Sequence, residues 1–288
     1  MKPRFLLTPD QLVASARVEL PAEAAHHAVR VLRLGAGAAL EIFDGAGRRA
    51  TATVLSTDRD RCTVEIDAAI LSSTTKSLLQ ITLLQGIAAA DRMDWIIEKS
   101  IELGVARVVP MLTQRSTVKL DPERAKKRHL HWQRIAVAAC MQCGQDQLPT
   151  VDAPLPARTA FAEFAEFAEF AEFAEFDHHP AGLSQRLILD PLAPDSLVQT
   201  VRSLMANELA NAPENDPVTN HTTNHTTNLA DHSSWVLAVG PESGFDLDEI
   251  EAAKRAGFKP VRMGPRVLRT ETAGPAAIAA LQTLCGDF

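Results

Sequence analysis

At 288 residues the chain is long enough for one large domain or two ordinary ones with real cores. Its composition, 46% hydrophobic and 23% charged, is that of a soluble globular protein, and no apolar run is long enough to span a bilayer. The net charge of −7 would argue against a nucleic-acid partner, but residues 151–234 carry 3 basic and 13 acidic side chains while the rest is net +3, so RNA is not excluded.

The N-terminus, MKPRFLLTPD, lacks the hydrophobic stretch of a secretion signal. Cys62, Cys140, Cys143 and Cys285 are expected as reduced thiols of a cytoplasmic protein. RFLL and RVEL are short extended candidates, and PAEAAHHAVRVLRLG predicts a helix from Pro21 to Gly35. Asp44-Gly45, between two alternating apolar runs, signals a hairpin, and RCTVEIDAAIL adds a strand. Residues 1–72 therefore read as a small β-barrel-like module. On an α-helix His27, Arg30 and Arg33 sit within about 120° of one another. They form either a solvated polar face or, with Arg4 nearby in sequence, a face for RNA phosphate.

SSTTKS, Ser72 to Ser77, reads as a linker to a second domain spanning 77–288. LLQITLLQG is apolar on both faces, as a central parallel strand is. The next helix, Asp91 to Leu103, is amphipathic, with Met93, Ile96, Ile97, Ser100, Ile101 and Leu103 on one half. Arg92 and Lys99 share an edge of it, and these two, with Arg115 in TQRST, are further candidates for polyanion contact. Asp121-Pro122-Glu123 starts a long helix whose opening, ERAKKRH, is the most basic run in the chain. Cys140 and Cys143 form a CxxC without a second Cys or His pair close by, so no metal site is expected.

Two repeats follow. FAE recurs five times from Phe161 and closes on Phe176. A three-residue period slips around an α-helix, so its rings do not make one buried stripe. TNHTTNHTTN, Thr219 to Asn228, is polar. Both read as low-complexity insertions, at about 157–180 and 211–232, flanking the strand RLILDP and a helix near Ser196 to Ala206. Deleting Phe161 to Phe176 is accordingly expected to leave ligand binding unchanged.

The last part carries the chemistry. Trp235 to Val239 reads as a buried strand, followed by the turn Gly-Pro-Glu-Ser-Gly and a helix opened by Asp246 and Glu249 as a capping box. A second strand, Pro260 to Met263, leads through GPRVLRTETAG into an Ala-rich closing helix. Two strand–turn–helix units in tandem are where open α/β sheets hold ligands. Neither GxGxxG nor GxxxxGK[ST] is present, which disfavours a dinucleotide or a triphosphate.

DRMDWIIEKSIELGV, the GPESG turn and MGPRVLRTETA, with HHAVRVLRLGAGAALEIFDG and the run Ile135 to Pro149, together resemble the RsmE family, small-subunit rRNA methyltransferases of the SPOUT superfamily. The resemblance covers the chain outside the repeats. It implies an N-terminal PUA-like RNA-binding β-barrel, a C-terminal α/β domain with a deep trefoil knot, S-adenosylmethionine as methyl donor, N3 of a uridine in 16S rRNA of the small ribosomal subunit as acceptor, and a homodimer. Gly240 to Gly244 and Met263 to Arg269 correspond to the knot loops. The implied donor site is Leu189, Val239, Gly240, Pro241, Glu242, Gly244, Met263, Gly264, Val267, Leu268 and Arg269. Glu242 is expected chiefly to order the turn or a dimer contact. Ser243 stands where the family has glycine, which costs something only if its φ is positive, and Pro275, after Gly274, is expected in a first helical turn.

Uracil N3 carries a proton that must leave before N3 can attack, so a base or anion-stabilising groups must adjoin the donor. Arg269, Thr270 and Glu271 are the catalytic candidates, Glu271 as base or positioning carboxylate and Arg269 as clamp for anion or phosphate. Glu271 has a plainer reading too, as an acid favouring a helix N-terminus. Two further readings remain: an rRNA-binding assembly factor without catalysis, and a SPOUT enzyme acting on tRNA.

Overall fold

A computed structural model of the chain describes residues 2–72, 79–89, 91–169, 185–210 and 233–288. They fall into two units, one of Met1–Lys76 with Arg134–Pro149, the other of Ser77–Gln133 with Thr150–Phe288. The linker 73–77, the polar repeat 219–228 and the FAE repeat beyond Glu169 lie outside the described residues.

The first unit runs β1 (Arg4–Leu6), β2 (Arg17–Glu19), α1 (Ala22–His26), β3 (Ala39–Phe43), β4 (Arg48–Asp58) and β5 (Arg61–Ser72). Its five-stranded sheet has the order β1-β3-β4-β5-β2, with β1 parallel to β3 and the other pairs antiparallel. The hairpin signal is met: Asp44 Oδ1 accepts the N–H groups of Ala46 and Arg48 at 2.8 and 2.9 Å, closing the turn between β3 and β4. Alternation along the strands buries Phe5, Leu40, Ile42, Val54, Val64 and Ile66 together.

Two expectations are corrected in this unit. Residues 1–72 do not form it alone, because 134–149 joins them. Asp146 is buried and lies 2.5 Å from Arg4 Nη2, and Leu148 N–H donates to Gly45 O at 2.8 Å. The predicted helix is also shorter. α1 passes into a π-helical turn, His27–Val31, and Arg33 has φ +54° beyond it, so the α-helical spacing of His27, Arg30 and Arg33 does not hold.

The second unit runs β6 (Leu79–Gly86), α2 (Asp91–Glu102), β7 (Val105–Leu112), α3 (Pro122–Cys143, whose last turns belong to the first unit), β8 (Thr150–Val151), β9 (Leu155–Pro156), α4 (Ala157–Glu169), β10 (Gln185–Leu189), α5 (Leu197–Ala210), β11 (Ser233–Val239), α6 (Leu247–Arg255), β12 (Lys259–Val261) and α7 (Thr270–Cys285). Its parallel sheet has the order β12-β10-β11-β6-β7-β8, with β9 also on β7. As the amphipathic pattern predicts, α2 buries Met93, Ile96, Ile97, Ser100 and Ile101. No described helix is long and apolar enough to cross a membrane.

The segment expected as an insertion from about residue 157 begins instead as core. Ala157, Ala160 and Phe161 of α4 are buried with Phe245 and Phe258, and the Phe161 ring meets those two edge-on at centroid distances of 5.9 and 5.3 Å. A three-residue period does not make a full stripe, but one anchored ring is enough to seat the helix. The closing helix also begins earlier than predicted, at Thr270. Pro275 therefore sits in its second turn, where it removes the N–H that would bond the Glu271 carbonyl.

Candidate functional site

The parallel strands β10, β11 and β12 end side by side, and their last residues, Leu189, Val239 and Val261, open into a cleft of about 370 Å³. Carboxyl ends of parallel strands are where such sheets bind ligands. The wall after β11 is Gly240 to Gly244, and the wall after β12 includes Met263, Val267 and Leu268. Both turns identified in the sequence thus reach one cleft. Of the residues expected at the donor site, Leu189, Val239, Gly240, Pro241, Glu242, Gly244, Met263, Val267 and Leu268 line it.

Backbone packing dictates this turn. A Cβ on Gly86, at the end of β6, would lie 2.6 Å from Pro241 N and Cδ, so only glycine lets the turn lie against β6. Gly244 has φ +69° and its N–H donates to Pro241 O at 2.9 Å. Ser243 is not among the positive-φ residues, so it replaces the family's glycine without strain. Its hydroxyl donates to Arg115 O at 2.6 Å, tying the turn to the segment after β7. The capping box of α6 is formed as predicted, Asp246 accepting from Asp248 N–H and Glu249 from Asp246 N–H. Glu249 is buried and its other oxygen accepts Gln114 N–H at 2.8 Å.

Thr270 holds the two walls together. Buried at the start of α7, its hydroxyl donates to Gly240 O at 2.6 Å and accepts from Gln85 Nε2 at 3.0 Å. A Thr270→Val variant keeps the shape but removes the donor to Gly240 O and one of the two acceptors of Gln85 Nε2, which is expected to cost about 1–3 kcal/mol. Urea denaturation would show it as a lower midpoint at constant slope, and an unchanged midpoint would refute the clasp. Thr270, expected among the catalytic residues, lines the cleft with its hydroxyl engaged by Gly240 O and Gln85 Nε2.

Glu242 also orders the site. Its Oε1 accepts Ala89 N–H and Arg92 Nη1 at 2.9 Å each. Partial burial works against its ionisation, but Ala89 N–H, its own backbone N–H and Arg92 outweigh this and hold the carboxyl below its ordinary 4.5. Because the folded value is the lower one, the resulting stabilisation is present above that pH and is lost as pH falls through the depressed value.

Three expected site residues stand outside the cleft wall: Gly264, Arg269 and Glu271. The Arg269 side chain is 81% exposed and reaches within 4.0 Å of Glu271 Oε1. Glu271 Oε1 also lies 3.9 Å from Arg92 Nε, and Glu271 Oε2 is buried with no hydrogen-bond partner among the described residues.

The expected RNA contacts separate as well. Arg4 is corrected outright: it is buried, donates to Asp146 and to Cys140 O, and covers the Phe43 ring. Its Nε lies 2.8 Å from Glu41 without hydrogen-bond geometry. His27 packs edge-on against Phe5, Arg30 pairs with Asp60, and Lys99 with Glu98 and Glu102. Arg92 is committed to Glu242, and Arg115 lines the cleft 3.6 Å from Asp246. Arg33 is exposed.

Sequence reasoning missed Asp190, Arg266 and Gln85. The first two line the cleft, and Asp190 was legible as a polar residue ending a parallel strand. Gln85 was legible as a polar side chain in an otherwise apolar central strand. In the CxxC, burial pushes the Cys140 thiol up to about 12 while Cys143 is exposed.

Residues 75–282 match a family model described as an RNA methyltransferase domain, and residues 20–67 one described as an RNA methyltransferase PUA domain. The ribosomal RNA small subunit methyltransferase E of Buchnera aphidicola (from Acyrthosiphon pisum) is 26% identical, covering 91% of this chain and 86% of its own length. That of Bacillus subtilis is 24% identical, covering 96% and 93%. The crystal structure of the Neisseria gonorrhoeae ribosomal RNA small subunit methyltransferase E bound to S-adenosyl methionine covers both chains fully at 32% identity and TM-score 0.74. A putative methyltransferase from Legionella pneumophila in complex with S-adenosylmethionine does so at 30% and 0.75.

Proposed function

The chain belongs to the ribosomal RNA small subunit methyltransferase E family, and on that footing we propose that it moves a methyl group from S-adenosylmethionine to N3 of a uridine in 16S rRNA. The cleft suits that donor. Apolar Leu189, Val239, Val261 and Leu268 fit a flat base, main-chain groups of 240–244 fit its polar edge, and the Asp190 carboxylate fits hydroxyl or ammonium groups. When bound, S-adenosylmethionine supplies an electrophilic methyl group carried on a positively charged sulfur.

The observation that carries the chemistry is Glu271 Oε2, an acceptor buried without a partner among the described residues, one residue from the Thr270 clasp. Buried acceptors are costly to leave unmade, and the uracil N3–H is the donor it lacks. In this reading Glu271 takes that proton as N3 gains the methyl. Arg269, on its exposed stem, holds phosphate or the developing uracil anion. Thr270 keeps the Gly240 turn in place beneath them. A buried carboxylate can reach N3 only if the uridine is unpaired or extruded.

The family reading also brings a closed PUA-like barrel from the five-stranded sheet, a deep trefoil knot through the 240–244 and 263–269 loops, a homodimer, and a cytoplasmic protein acting on the small ribosomal subunit. Calorimetry with S-adenosylmethionine and mass spectrometry of small-subunit RNA before and after incubation test the activity. Saturable donor binding and a new N3-methyluridine are expected, from a particle sedimenting at twice the 31.2 kDa chain mass. RNA binding without methyl transfer would leave the non-catalytic assembly factor in its place.

A further inference from the structure

The sequence placed Arg92 among cations for RNA phosphate, whereas the structure turns it toward two carboxylates. Arg92 Nη1 donates to Glu242 Oε1 at 2.9 Å, and its Nε lies 3.9 Å from Glu271 Oε1. The same Glu242 oxygen takes Ala89 N–H at 2.9 Å, so the entry to α2 and its first arginine are fixed on one atom of the cleft wall. Two cations face Glu271: Arg92 from α2 and Arg269 from the N-cap of α7. The Arg269 side chain is 81% exposed and that of Arg92 46%, so Arg92 is the more enclosed of the two and the one already anchored.

We infer that Arg92 is a positioning residue for methyl transfer: held on Glu242, its guanidinium fixes the Glu271 carboxylate through Oε1 and leaves Oε2 turned to the uracil N3–H. This rests on the role of Glu271 proposed above. The planar guanidinium suits the task, because it presents donors in two fixed directions at once, which a lysine ammonium on a flexible stem does not. It also joins the donor-binding turn to the proton acceptor, two parts of the site carried on different loops.

The test compares Arg92→Ala, Arg92→Lys and Glu271→Gln with the unaltered full chain. Three quantities are measured: kcat and KM on unmethylated small-subunit RNA, S-adenosylmethionine affinity by calorimetry, and RNA affinity at several salt concentrations. Arg92→Ala is expected to lower kcat by about 10- to 100-fold, the equivalent of one charge-assisted hydrogen bond. The loss should fall on kcat with KM for RNA little changed, because Arg92 acts through Glu271 and not on phosphate. Arg92→Lys, which keeps the charge but not the two fixed donor directions, should restore kcat only in part, and it keeps the test decisive should Arg92→Ala fail to fold. The salt dependence of RNA binding should not change. A full kcat together with a salt slope reduced by about one would overturn the inference and make Arg92 a phosphate contact. A loss that falls on KM for RNA with kcat unchanged would overturn it too. Full activity in Glu271→Gln would instead overturn the Glu271 assignment, and this inference with it.

Discussion

Glu271→Gln is expected to lower kcat by roughly 10²- to 10⁴-fold, the range over which a positioned acid–base group contributes, with S-adenosylmethionine affinity unchanged. Glutamine keeps the side chain's length and can still meet Arg92 and Arg269 through its carbonyl, but it cannot take the N3 proton. The neighbours should fail differently. Thr270→Val loosens the Gly240 carbonyl and Gln85 and should weaken donor binding along with stability. Arg269→Ala, at an exposed position, should show its loss in KM for RNA as well as in kcat. Single-turnover rates with saturating donor separate the three. A Glu271→Gln enzyme with the parent's single-turnover rate would leave Glu271 only its place near a helix N-terminus.

Phe161→Ala is expected to destabilise the protein by about 3–5 kcal/mol, the usual cost of emptying a buried phenylalanine site. Its ring sits edge-on to Phe245 and Phe258, and Phe245 lines the cleft. Donor affinity should therefore fall together with stability. Deletion of Phe161 to Phe176, expected from composition alone to be silent, should on this packing be damaging. Denaturant unfolding with donor titration of the surviving folded fraction measures both effects. A loss under about 1 kcal/mol would be too small for a fully buried aromatic and would return the segment to a dispensable insertion.

What the sequence revealed was local. The apolar run of β6, the amphipathic face of α2, the Asp44-Gly45 hairpin and the Asp246–Glu249 capping box depend on neighbours a few residues apart, and each formed where expected. The two turns of the cleft were legible because glycine and proline mark backbone directions. What failed was the choice of distant partner. Arg4 reads as a surface cation until Asp146 arrives 142 positions later, and Arg92 reads as an unpaired one until Glu242 arrives 150 positions later. Thr270 stood out as one of the polar groups nearest the donor loop, and only the structure shows its hydroxyl engaged by Gly240 O. The FAE repeat misled by its regularity. A period describes which side chains share a face, not whether the first ring of the series has a core to enter.

The pairing of Arg4 with Asp146 also sets an order of events at biosynthesis. The amino-terminal strands leave the ribosome first, yet their buried guanidinium meets its carboxylate only after 142 more residues, a wait of roughly 7 to 28 seconds at ordinary elongation rates. An arginine without its counter-ion is expensive to enclose, so the nascent sheet has reason to stay open around β1 through that interval. The amino-terminal unit, first to be translated, is thus completed only when the middle of the chain returns to it.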